Sequence, residues 1–237
     1  MANLVQLKML EELSGFLPVD KPAGIAFSSV VKTIKRKFNL VKVGHGGSLD
    51  AMASGLFIVL LGDANRYAND LMSADRTYAG AMKLGLRTNT HDIHGETIFD
   101  ASATAEVPSQ ARIAEVLPEF KGDIFQTEPR FCSVRREGTA DYTVADTGEH
   151  GQFLGHVYRF SVMPPEFSLK ASKSVIVRTL VNDFGEALGT GAALSALRRT
   201  AVGKFTVEEA IPFEKLLELS PSEFAASVIP IPKAMAR

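Results

Sequence analysis

Gly44-His45-Gly46-Gly47-Ser48-Leu49-Asp50-Ala51-Met52-Ala53-Ser54-Gly55 runs directly into Leu56-Phe57-Ile58-Val59-Leu60-Leu61. Glycine lets a backbone turn tightly and approach a ligand closely. The stretch therefore reads as a turn that presents one acid, Asp50, just before a buried strand. Two readings stand at this point: a surface turn that ends in an acid, or a loop that carries a nucleophile. The run is not a dinucleotide fingerprint, because Leu49 stands where the third glycine belongs. It is not a phosphate-binding P-loop, because no Gly-Lys-Ser/Thr follows.

The 237 residues suffice for one large domain or two small ones. Hydrophobic residues make up 46% and charged residues 22%, the balance of an ordinary globular protein. No apolar run approaches the roughly 18–20 residues of a membrane span. Met1 to Glu12 lacks a basic-then-apolar signal pattern. The single cysteine, Cys132, excludes an internal disulfide. These features predict a cytoplasmic protein. A net charge of −1 does not announce a nucleic-acid binder. The basic residues nevertheless cluster: Lys32, Lys35, Arg36, Lys37 and Lys42 in one group, Arg198, Arg199 and Lys204 in another. Such clusters are solvated faces or phosphate-binding patches, and charge alone does not choose.

The pattern predicts an arm or short helix over 1–14, a strand at Phe16–Val19 and a turn over Asp20–Gly24. Ser28 or Ser29 is the expected cap of a helix with Val30, Val31, Ile34 and Phe38 on one face and the basic residues mostly elsewhere. After the strand 56–61, Asp63 is expected to cap a helix to about Met72. Strands follow at Tyr78–Leu84, Gly155–Val162, Ser174–Leu180 and Leu194–Val202, with strand and turn over Phe120–Phe131. Helices are expected at 109–117, 180–188 and, mostly, 207–219. Residues 87–96, 101–108 and 140–151 read as loops. Strands and helices interleave without a steady βαβ beat, which predicts an α+β fold with a mixed or antiparallel sheet.

Several residues carry chemistry. His91, Asp92 and His94 form either a short metal-ligand triplet or a solvated loop; their spacing does not suit a helical pair. Cys132 beside Phe131 reads as packed. Arg178 follows Val175-Ile176-Val177 in the expected strand, and needs a partner if buried or points outward if not. Asp50 is a candidate partner. Tyr78 suits stacking on a base or an ordinary core position.

Together these segments resemble the TruB family of tRNA pseudouridine synthases over about residues 15–230. Gly15 to Gly24 resembles the family's Asp-Lys-Pro motif, and Gly44 to Gly55 its Gly-His-Thr-Gly-x-Leu-Asp-Pro signature. Arg76-Thr77-Tyr78 resembles its Lys/Arg-x-Tyr, and Gly85 to Gly95, with Thr88, Thr90 and Asp92, the loop that follows. Gln126 to Gly138 resembles its Gln-x-Pro-Pro-x-Tyr-Ser-Ala-x-Lys-x-x-Gly, while Arg178-Thr179-Leu180 and Ala196 to Thr200 resemble its late motifs. Each motif alone is weak; the ordered set is specific.

The resemblance implies a pseudouridine-synthase-like domain over 1–237, with a mostly antiparallel central sheet, flanking helices, an RNA-binding cleft and a helical extension at 207–237. It implies isomerisation of the T-loop uridine (position 55) of tRNA, with no cofactor and no metal. Asp50 would be the nucleophile, attacking the ring at C6 or the sugar at C1′. The uridine would be flipped from its stack. Tyr78 would stack on it, Arg178 would pair with Asp50, His45 would hold the opened loop, and Leu197 and Ile176 would line the pocket. Lys21, Lys35, Arg36, Arg198 and Arg199 would contact substrate, phosphates among them. The expected partner is the tRNA T-arm, bound by a monomer with no membrane. The departures are Ile176 for a tyrosine, Ala51 for the proline after the aspartate, Gly46 for the threonine, and Glu128-Pro129, Cys132-Ser133 and Arg135 in the Gln126 motif. A chain ending at Arg237 leaves no room for the PUA domain of many bacterial members. These departures raise a second reading, a family member that binds or refolds tRNA with little catalysis.

Overall fold

The structure is a computed structural model that describes residues 10, 12–127, 131–133, 142–144 and 152–236. Along the chain, β1 (Gly15–Lys21) leads to α1 (Phe27–Lys37), β2 (Val43–His45) and β3 (Ser54–Leu61). A 3₁₀ turn (Gly62–Tyr67) and α2 (Ala68–Ser73) precede β4 (Arg76–Leu84), β5 (Leu86–Thr88) and β6 (Thr97–Asp100). Then come α3 (Gln110–Val116), β7 (Gly122–Thr127), β8 (Phe131–Ser133), β9 (Tyr142–Val144), β10 (Gln152–Met163) and β11 (Glu166–Ala171). The chain ends through α4 (Val177–Leu188), β12 (Ala192–Val202), β13 (Phe205–Thr206), β14 (Ile211–Pro212), α5 (Phe213–Glu218), α6 (Pro221–Ser227) and α7 (Ile231–Met235). The fold is α+β with mostly antiparallel pairing, as the patterning predicts. Among the described residues no helix is long and apolar enough to cross a membrane.

The chain divides into two compact units, Met1–Ala74 with Arg198–Arg237, and Asp75–Leu197. The first is built on β3. Its run Gly55–Leu61 is buried on both faces, which is why the sequence there is continuously apolar rather than alternating. β1 pairs antiparallel with β3 from Gly15↔Leu61 to Lys21↔Gly55, and β14 runs parallel to β1. Arg198 and Arg199 of β12 pair parallel with Ser54 and Gly55. One core gathers Phe16, Leu56, Ile58, Leu60, Leu71, Val202, Phe205 and Ala234 of α7, so the C-terminal segment is part of this unit's packing. The side-chain period of two sends Asp20 and Lys21 of β1 to opposite faces.

The second unit contains an antiparallel meander in the spatial order β4-β11-β10-β7. Its buried residues include Tyr78, Met82, Val157, Phe160, Phe167 and Leu169. Phe184 of α4 packs edge-on against Phe160 and Phe120, with ring centroids 5.2 and 5.3 Å apart. Helix α4 ends at Gly189, whose φ of 83° suits the left-handed cap.

Several local expectations change. Ser174–Leu180 is not a strand: α4 starts at Val177, and Arg178 lies in its first turn. The β-branched run favours extended backbone. Leu180, Val181, Phe184 and Leu188 lie on one helical face, and their burial outweighs that propensity. α1 is capped at Ala26 without a side-chain bond, so Ser28 and Ser29 lie inside the helix. Asp63 sits in the first turn of the 3₁₀ segment instead of capping a helix. Asp20 and Lys21 belong to β1, not to the turn that follows. β5 (Leu86–Thr88) takes the first residues of the loop expected at 87–96, and β11, a strand of strict burial alternation, was not foreseen. Over 207–219 a 3₁₀ turn, β14 and α5 replace one helix. The helix expected at 109–117 forms over Gln110–Val116, with Ser109 accepting from the Arg112 N–H. Most of the 1–14 arm, most of 140–151 and the side chain of Cys132 lie outside the described residues.

Phe184→Ala should lower the unfolding free energy by about 3–5 kcal/mol, the usual cost of emptying a buried aromatic site. A lower urea midpoint at unchanged slope reads this out.

Candidate active site

Asp50 lies at the end of the turn between β2 and β3, partly buried. The glycines here answer to neighbours. A Cβ at Gly44 would meet Asn65 Oδ1, and one at Gly46 would stand 2.7 Å from Leu71 Cδ1. Leu71 thus occupies the space that a side chain at position 46 would need. Gly55 has a φ of 99°, and a Cβ there would meet the backbone of Arg199. Only glycine lets β12 come so close to the start of β3.

Two buried cations fasten this turn. Lys21 is fully buried, and its ammonium donates to the carbonyls of Pro22 (2.8 Å), Ile25 (2.8 Å) and Ala51 (3.2 Å). An ammonium has three hydrogens, and three acceptors surround this one. The Ala51 carbonyl also accepts from the Gly24 N–H at 2.7 Å. The carbonyl of Ala51, one residue after Asp50, is therefore held by two donors, without the ring of a proline. Arg199, only 2% exposed, donates from Nε to the Leu56 carbonyl (2.8 Å) and from Nη1 to the Ser48 carbonyl (2.7 Å). It bridges the two shoulders of the turn, and the Asp50 carbonyl closes it by accepting from the Ala53 N–H at 3.1 Å. Burial pushes the Lys21 ammonium down to about 8; the Asp50 charge opposes this and Arg199 adds to it.

The other expected residues of this unit fall in distinct places. The Gly47 N–H donates to His45 Nδ1 at 3.3 Å, which places the proton of a neutral ring on Nε2. That ring clusters with Phe27 and Phe57, at centroid distances of 5.0 and 5.9 Å. Arg198 grips Asp20 with two hydrogen bonds, 2.9 and 2.7 Å, which raise its pKa further. Adjacent arginines on β12 thus part company: Arg198, itself half-exposed, reaches a more deeply buried carboxylate, while Arg199 is a buried strut, unlike the surface phosphate contact expected for it. Lys35 and Arg36 lie exposed in the last turn of α1, where cations complement the helix dipole.

In the second unit, Tyr78 is buried on β4 opposite Leu169 of β11, and Leu197 is buried on β12. Ile176 is the N-cap residue of α4. Arg178, 5% exposed, donates from Nη1 to the Thr90 carbonyl at 3.3 Å. The Asp92 carboxylate accepts from the Thr90 hydroxyl (3.0 Å) and the His94 N–H (2.9 Å), and the His91 ring faces Thr179. These groups tie their own loop together. Among the described residues no group of three or more His, Cys, Asp or Glu is arranged to hold a metal ion. Burial, then Arg178 and Arg87, push His91 down to about 4. The sequence reading missed Asp20 as the partner of Arg198 and Gln126 as an anchor. A polar residue at an inward position of the alternating strand β7 was the available signal for Gln126.

Comparisons with known proteins bear on this arrangement. A family model described as TruB family pseudouridylate synthase (N terminal domain) matches residues 35–160, more than half of the chain. The chain belongs to the TruB family. A second model, the tRNA pseudouridylate synthase B C-terminal domain, matches residues 178–233. The TruB relatives include the tRNA pseudouridine synthase B of Burkholderia pseudomallei, 34% identical over 92% of this chain and 74% of that one. The protein of the same name from Opitutus terrae is 35% identical, covering 94% and 95%. Among solved structures, a chain of a Cbf5–Nop10–Gar1 complex superposes with a TM-score of 0.72 at 26% identity, over 96% of this chain. This chain spans 63% of that neighbour's length. As a TruB pseudouridylate synthase, the protein is an isomerase that modifies RNA.

Lys21 gives a pH signature. Below about pH 8 it is protonated in both folded and unfolded chains; from about 8 to 10.5 the folded chain releases its proton first. Its contribution to stability therefore grows with pH across that window. Urea unfolding at pH 7 and pH 9.5 should show wild type gaining stability relative to Lys21→Met.

Proposed function

We propose that the protein isomerises the T-loop uridine, position 55, of tRNA to pseudouridine, with Asp50 as nucleophile. The observation that carries this reading is the Asp50 turn, pinned by Lys21 on one side and Arg199 on the other. A nucleophile is useful only if its approach is fixed, because a small misplacement costs rate steeply. The names of the Burkholderia and Opitutus relatives supply the tRNA substrate, and the family resemblance supplies the T-loop.

In this reading the uridine leaves its stack and enters the pocket. The Asp50 carboxylate adds to C6 of the uracil or to C1′ of the ribose. The bond between C1′ and N1 breaks, the base turns, and a bond forms between C1′ and C5. The C5 proton is then lost, N1 gains one, and the carbon–oxygen bond to Asp50 breaks, which returns the free carboxylate. No atom is added and no electron is transferred, so the reaction balances without a cofactor. Tyr78 stacks on the flipped base, Arg178 pairs with Asp50, and Leu197 and Ile176 line the pocket. His45, with Nε2 carrying its proton, holds the opened loop. Lys21 and Arg199 act on the turn that carries Asp50, while Arg198, Lys35 and Arg36 face the RNA.

Asp50→Asn should abolish tritium release from tRNA carrying 5-tritiated uridine while leaving tRNA binding in place. Turnover retained by that variant would sink the nucleophile assignment. Wild-type protein that binds tRNA yet yields no pseudouridine on nucleoside analysis would favour the tRNA-binding and refolding reading.

Binding should weaken with salt, because phosphate contacts release counterions. Replacing both Lys35 and Arg36 by alanine should reduce the slope of log affinity against log salt by about two. Filter binding across a salt series measures it.

A further inference from the structure

Helix α4 begins without a side-chain cap of its own. Its first residues are instead held by side chains from distant parts of the chain. The amide of Gln126, 1% exposed at the end of β7, makes two hydrogen bonds to Ile176. Its Nε2 donates to the Ile176 carbonyl at 3.1 Å, and its Oε1 accepts from the Ile176 N–H at 2.9 Å. The complementary pair fixes both the position and the direction of the peptide that opens the helix, and also assigns the amide orientation. Three residues on, the buried Thr179 has its hydroxyl 3.3 Å from His91 Nδ1. His91 is itself fixed, with a φ of 65°. Its N–H donates to the Thr88 carbonyl at 3.2 Å, and its carbonyl accepts from the Leu194 N–H at 3.0 Å. Arg178 lies between these two anchored residues and donates to Thr90, next to His91 in the same loop.

The geometry points to Gln126 and His91 as positioning residues for Arg178, one holding the backbone before it and the other the side chain after it. This rests on the role proposed above for Arg178. Neither anchor is needed to make α4 a helix, since its apolar face and the Gly189 cap do that. What they settle is the rotation and height of its first turn, and so where the Arg178 guanidinium points. An arginine whose task is to orient a nucleophile needs that setting more than the fold does. The two anchors come from different elements, so the loss of either tilts the same turn.

The test measures kcat and KM on tRNA transcripts, with thermal unfolding alongside, for Gln126→Leu, His91→Leu, His91→Gln and Arg178→Lys. Gln126→Leu should lower kcat about tenfold or more with KM within about twofold and the fold intact, the signature of a displaced group. His91→Leu should lower kcat severalfold. His91→Gln, which can still reach the Thr179 hydroxyl, should restore most of it. Unchanged kcat in both leucine variants, or a loss that follows only the folded fraction, would overturn the inference. If Gln126→Leu does not fold, the His91 pair decides by the same criterion. Arg178→Lys separates the two levels. Wild-type kcat in that variant removes the role of Arg178 itself. A lost kcat there, with the leucine variants unaffected, removes only the anchoring.

Discussion

A lysine ammonium buried beneath the turn that carries Asp50 is the constraint around which the first unit is arranged. Burying a charge is unfavourable unless hydrogen bonds and an opposite charge replace water. Lys21 has carbonyl acceptors from Pro22, Ile25 and Ala51, with Asp50 as the nearby negative charge. The compensation is incomplete, which is why its pKa falls toward 8. Removing the side chain would take one donor from each of three carbonyls and leave the Gly24 N–H on the Ala51 carbonyl to tie the turn after β1 to the turn before β3.

Arg199 completes this framework from β12. Its guanidinium offers donors in a fixed fork, and the two carbonyls it reaches flank the Asp50 turn. The close parallel approach of β12 to β3, which requires glycine at position 55, brings that fork into range. Two departures from the family pattern, Gly46 and Ala51, are absorbed locally. Gly46 yields its side-chain space to Leu71, and the Ala51 peptide is held by donors on its carbonyl. The same logic recurs in the second unit, where the helix bearing Arg178 is opened by a side-chain amide instead of a cap.

Much of the fold was legible because its signals are local. The continuous apolar run of β3 and the periodic face of α1 each follow from neighbours within a few residues. The helix expected at 109–117 and the glycine turn that ends α4 are equally local. Element types failed where local preference and tertiary burial disagree, as at Val175-Ile176-Val177. They also failed where short strands were hidden in polar sequence, as in β5.

By itself the sequence determined the glycine turn, the acid on it, the strand behind it and the ordered motifs that mark the TruB family. Only the tertiary structure decided what the charged residues do. Lys21 bonds across 30 residues to Ala51, Gln126 across 50 to Ile176, Arg199 across 151 to Ser48 and Arg198 across 178 to Asp20. In an alternating strand one of two neighbours faces inward, and the pattern alone does not say which when both are arginine. Sheet register settles it, because it fixes which carbonyls each side chain meets.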